Sequence, residues 1–147
     1  MSNLLNTTID YQITETRFGT RRLYLYTGGS LYSEFRSRVA IANWPLLHIV
    51  HGRSPETGKI AAARGVIAIG QKAVGVLAIG QASLGLIAIG QLSIGLVFGL
   101  GQAATGIVAI GQAAAGIFTV AQFGVGFAGM AQFGIGPYLR SVWPHHW

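Results

Sequence analysis

A chain of 147 residues has room for one domain and an appendage, and here 51% of it is hydrophobic while only 10% is charged. The absence of cysteine excludes disulfides and thiolate metal sites. Most of the net charge of +6 sits in an N-terminal part that also holds all four acids, Asp10, Glu15, Glu34 and Glu56. It therefore reads as a solvated or membrane-facing cap rather than a nucleic-acid site.

The opening MSNLLNTTIDYQITETRF lacks a basic segment followed by an apolar run, which is unlike a cleaved secretory signal. The expectation is a protein that stays inside the cell or inserts without a cleaved leader. Strand-like runs follow at Tyr11 to Thr16, Arg22 to Thr27 and Arg38 to Ile41. Gly28-Gly29 and Ser54-Pro55-Glu56-Thr57-Gly58 carry turn chemistry, and Trp44-Pro45 with LLHIVHG reads as a short apolar strand or helix. Residues 1–64 are expected to form a small polar, basic cap, β-rich or α+β.

From Gly65 the sequence is periodic: GVIAIGQKAV, GVLAIGQASL, GLIAIGQLSI and so on to residue 136. Gln71, Gln81, Gln91, Gln102, Gln112, Gln122 and Gln132 keep a step of ten, broken once by a residue inserted near Phe98-Gly99. Each ten divides into two fives. Position one is Gly (Ala at 121 and 131), position two alternates a large apolar residue with Gln, and position four is small outside the stretch at Phe98. A helix cannot use this pattern, because five residues turn it by about 500° and scatter Gly and Gln around its surface. Gly at every fifth place would also cost about 1 kcal/mol each in a helix interior.

The expected fold is all-β: a β-solenoid over residues 65–136, with short strands, glycine corners and identical positions stacked in ladders. With positions three and five inward, the core would be Ile67, Ile69, Leu77, Ile79, Ile87 and Ile89, and position four would form a smooth outer column. Lys72 breaks that rule at the first repeat. The seven Gln are expected to stack as a structural amide ladder. Residues 137–147 form an aromatic tail, with Tyr138, Arg140, Trp143 and Trp147 as interface anchors.

The five-residue step resembles that of the pentapeptide-repeat proteins, which implies a four-sided right-handed β-helix of about twenty residues per coil. The chain departs from that family's pattern in having Gly where an Asp or Asn would stand, and its uncharged repeats do not carry over the nucleic-acid mimicry of acidic members. It is also similar in spirit to the bactofilins, which polymerise through apolar β-helices. The likeness covers 65–136 and is one of architecture.

Three motifs look like chemistry and are set aside. Gly124-Val125-Gly126-Phe127-Ala128-Gly129 matches a dinucleotide fingerprint but lies inside the repeat, with no acid after Glu56. The stretch from Gly52 to Ile60 is one residue too long for a phosphate loop and ends in Ile where Ser or Thr should bind Mg²⁺. His48, His51, His145 and His146 would have to gather from both chain ends to bind a metal. The expectation is therefore no enzyme, no cofactor, no nucleic acid and no small-molecule substrate.

With inner and outer positions both apolar, something must cover the wall: lipid, other copies of the chain, or both. Seven ten-residue coils at about 4.8 Å spacing would span roughly 30 Å, matching a bilayer core, whereas twenty-residue coils would span half of that. A membrane-embedded homo-oligomer is the leading expectation. A soluble cytoplasmic filament or scaffold, packed through its faces and ends, is the alternative.

Overall fold

The structure is a computed structural model and describes residues 9–142. These residues form an all-β fold, with no helix among them. In chain order the strands are β1 Gln12–Glu15, β2 Gly19–Leu25, β3 Leu31–Ser37, β4 Ala40–Ile41, β5 Trp44–Pro45, β6 Leu47–His51, β7 Ala62–Ile135 and β8 Tyr138–Ser141. The main sheet has the order β1-β2-β3-β6-β7-β8, antiparallel from β1 to β6 and parallel from β6 to β8. The N-terminal strands thus continue the sheet of the repeats.

Local chemistry places the early turns. Gly29, with φ of 81°, closes the β2–β3 hairpin at the Gly28-Gly29 pair singled out in the sequence. Ala42 and Asn43, both with positive φ, turn β4 into β5. The segment LLHIVHG forms a strand, β6, and not a helix. Leu47 pairs with Ile67, twenty residues on, because residues 52–61 leave the sheet as a small loop tied by an Arg53–Ile60 bridge.

β7 comprises 74 residues. Drawn straight it would reach about 240 Å. It is folded on itself instead, and neighbouring ten-residue repeats lie side by side. A Cβ on Gly75 would fall on the carbonyl oxygen of Gly65, one on Gly85 on that of Gly75, and one on Gly116 on that of Gly106. Glycine is required at these places because another backbone occupies the space of its missing side chain. The Phe123 and Phe133 rings stack at 5.7 Å, and the Ser93 hydroxyl donates to the Ala103 carbonyl at 3.4 Å. At the far end Ala128 pairs with Tyr138, again ten residues on.

The inserted residue is absorbed between Gly95 and Gly99. There the backbone closes on itself so tightly that a Cβ on Gly95 would meet the Phe98 carbonyl, and Gly99 takes the buried place that Ala or Ser holds elsewhere. Beyond it Gly101 lies against Gly90, eleven residues back, and the step of ten resumes.

The inward phase differs from the sequence expectation. Position four is the core: Ala68, Ala78, Ala88 and Ala109 are 0% exposed, and Ser83, Ser93 and Thr119 are buried with them. Ile67, Ile69, Leu77, Ile79 and Ile89 are only half-buried, and Ile87 is exposed. The reason is geometric. Between closely packed glycines five residues apart, strand alternation turns the side chain at four inward and those at three and five outward. The space inside admits Ala, Ser and, at one place, Thr. Lys72, at position three, therefore sits on the surface without anomaly.

In the last repeats the small groups trade places. Ala121 and Ala131 stand at position one where Gly is usual, and Gly124 and Gly134 stand at position four where Ala is usual. The Ala131 methyl is buried, and a Cβ on Gly124 would lie 3.0 Å from it. The Ala131 methyl thus replaces inside what Gly134 lacks, whereas the segment from Gly126 to Met130 has Gly at both places.

Candidate functional site: an apolar wall with one amide column

The bulky side chains of the repeats are exposed or half-buried. Val76, Leu86, Leu96, Ile107, Ile117 and Phe127, all at position two, are exposed. Positions three and five add Leu84, Leu92, Ile94, Phe118 and Val120. From residue 73 to 139 this wall carries no formal charge. Aromatic rings collect at its C-terminal end, where Phe127 lies 5.1 Å from Tyr138. Tyr138 and Arg140 are exposed on β8, while Trp143 and Trp147 lie outside the described residues.

The Gln residues form the polar exception. Each follows the position-one residue, and those residues pack one repeat over the next, so the seven side chains make one column. Gln71 is half-buried beside the cap, and the other six are exposed. No hydrogen bond joins one of these amides to another among the described residues. Beside the column runs a trough of about 500 Å³ floored by Gly101, Gly111 and Ala121, with Gln112 on one wall and Ile110 on the other.

The cap has its own polar centre, which has no local signature in the sequence. Glu34 on β3 and His48 on β6 meet at 2.9 Å, Nε2 to Oε1, with His48 only 4% exposed. Nε2 donates to the Glu34 carboxylate, and Nδ1 lies 2.9 Å from the Arg64 amide nitrogen and 3.0 Å from the Arg64 carbonyl oxygen. Tyr32 donates to the other Glu34 oxygen at 3.1 Å, with Arg22 and Arg36 about the carboxylate at 3.9 and 4.0 Å. The hydrogen bond from His48 is the main cause that holds the Glu34 carboxyl below its ordinary range, helped by Tyr32 and Arg22 against the opposing effect of burial. Tyr11, Tyr24, Tyr26 and Tyr32 pack beside this centre, and Tyr11 donates to Glu56. Burial first, and then Glu56, push the Tyr11 hydroxyl up to about 12.

This centre is a clasp. Both nitrogens of His48 are engaged, one by Glu34 and the other by the Arg64 backbone. His51, three residues on, is exposed and lies on the other face of β6, and no group of three metal-ligating side chains forms among the described residues. His145 and His146 lie outside the described residues. The Gly124–Gly129 stretch is strand throughout, without the helix that a dinucleotide site needs, and the Gly52–Ile60 stretch is the tied loop. No helix of the described residues is long and apolar enough to cross a membrane. No protein-family model matches the chain, and no curated protein or solved structure matches it either.

Proposed function

We propose that residues 65–136 are a β-solenoid of ten residues per coil, and that the protein is a non-enzymatic structural homo-oligomer embedded in a lipid bilayer through the solenoid wall. Residues 1–64 serve as its basic cap and 137–147 as its aromatic tail. The observation that carries this reading is the uncharged wall of large exposed side chains between residues 73 and 139. Seven coils separated by about 4.8 Å make a band of roughly 29 Å, the thickness of a hydrocarbon core. Each coil satisfies its backbone on its neighbours, as lipid demands. One end of the stack is covered by β6 and the antiparallel strands, and the other by β8. Arg17, Arg21, Arg36, Arg38 and Lys59 lie on the cap side, and Tyr138 and Arg140 at the far side, as at the two surfaces of a membrane.

Contacts ten residues apart separate this architecture from the twenty-residue coil of the pentapeptide-repeat proteins. What remains of that resemblance is a small inward residue in every five. The alternative is a soluble filament or scaffold in the cytoplasm. The six exposed Gln favour it, since amides on a bare lipid surface are unfavourable. The covered N-terminal end disfavours end-to-end stacking. Extracting cell membranes with alkaline carbonate and then with detergent tests the reading: release only by detergent is expected, and recovery in the aqueous fraction without detergent would overturn it.

A further inference from the structure

We infer that the Gln column is where two copies of this chain meet, amide against amide, about a two-fold axis that runs along the column. This rests on the membrane reading and deepens it. Within a band that carries no formal charge, the column is the one repeated line of exposed polar side chains. Its amides do not satisfy one another within the chain, and lipid offers neither donors nor acceptors. A primary amide has two N–H donors and a carbonyl acceptor, so it complements its own copy. A second chain offers the same groups at the same spacing, so setting one pair in register sets them all.

Orientation follows from the cap. Its basic residues hold every copy the same way up in a membrane, so Gln91 faces Gln91 and Gln112 faces Gln112. The axis then lies along the stack, and the interface is isologous. The open trough beside the column, lined by Gly101, Gly111 and Ala121 together with Gln102, Gln112 and Gln122, leaves room for the partner's side chains. Leu96 and Ile107 follow the alternate glycine corners, half a repeat away from the Gln, and so face lipid in this arrangement.

The chain has no cysteine, so single-cysteine variants report one position each. Full-length Gln91→Cys, Gln112→Cys, Leu96→Cys and Ile107→Cys would be reconstituted in phosphatidylcholine vesicles, oxidised and analysed for disulfide dimers. Infrared spectra would confirm β structure in each. Dimers at Gln91→Cys and Gln112→Cys, at least tenfold above those at Leu96→Cys and Ile107→Cys, are expected. Equal yields at all four, dimers only at the leucine and isoleucine sites, or no dimers at any site would overturn the interface. A second arm replaces Gln81, Gln91, Gln102 and Gln112 together by Met. A dimer fraction unchanged by that replacement, read with an amine cross-linker on wild-type-like vesicles, would also overturn it. Vesicle flotation separates the two claims. Protein that floats without Gln-site dimers retains the membrane reading and loses the interface, and protein that dimerises at the Gln sites but does not float does the reverse.

Discussion

The cap and the repeats build one sheet by opposite means. In the cap, stability is local and individual: Glu34 holds His48, Tyr32 and two arginines, His48 also meets the Arg64 backbone, and each side chain differs from the next. In the repeats it is collective. The core is a row of methyl and hydroxyl groups, each burying little apolar area, and the glycine backbones carry the close contacts. A defect in the cap removes a named interaction, whereas a defect in the repeats is felt through the stacking of neighbours. The bulky side chains, which ordinarily make a core, are left for whatever surrounds the molecule.

The comparison can be broken most severely by enlarging one inward residue. Ala88 is 0% exposed, so Ala88→Leu forces its neighbours apart and should cost about 3 kcal/mol or more. Ile87→Leu, on the outer side, should cost well under 1.5 kcal/mol. Thermal or denaturant unfolding checks the pair, and similar costs would mean that the inward phase is wrong.

In the cap, Glu34→Gln weakens the four contacts to the carboxylate, from His48, Tyr32, Arg22 and Arg36, and should destabilise by about 2–3 kcal/mol. The sign of the pH effect follows from the lowered Glu34 ionisation. Its stabilising contribution is full above the ordinary carboxylate value of 4.5 and is lost as pH falls through the lower folded-state value. Wild type should therefore lose stability on the acid side more steeply than Glu34→Gln. On the alkaline side Tyr11 acts in the other sense. Its value rises from 10.0 to about 12, so stability should fall as pH climbs through that window, and Tyr11→Phe should flatten the fall. Denaturation midpoints against pH measure both.

The smallest effect concerns Thr119, whose Oγ1 is buried without a hydrogen-bond partner. Thr119→Val keeps the shape and removes the unsatisfied group. Unfolding should show it neutral or more stable by up to about 1 kcal/mol, where Ser93→Ala, which loses a bond, should not gain.

The repeat was legible because a step of ten in Gly and Gln survives any local preference. The outward phase was not, because placing the largest apolar residues inside holds only where the interior has room. Lys72 at position three was the one residue whose charge pointed to the true phase. β3 escaped notice because its buried face presents Tyr32 and Glu34, the reverse of an apolar stripe. The clasp joins Glu34 to a histidine fourteen residues away, and no local spacing announces that pairing. The Gln column was legible as a line, but its exposure rests on the corner geometry that only the folded chain displays.

If the apolar wall lies in lipid, a lysine scan along Val76, Leu86, Leu96, Ile107 and Ile117 should register depth in the bilayer. All five are exposed in the folded chain, so folding in water should tolerate each substitution. In a bilayer a lysine costs about 2–4 kcal/mol at the midplane and about 0–1 kcal/mol near the interfaces. Membrane retention, measured by vesicle flotation of each variant, should fall to a minimum at Leu96→Lys and recover toward Val76→Lys and Ile117→Lys. A flat profile, with all five variants floating or failing to float alike, would contradict the account.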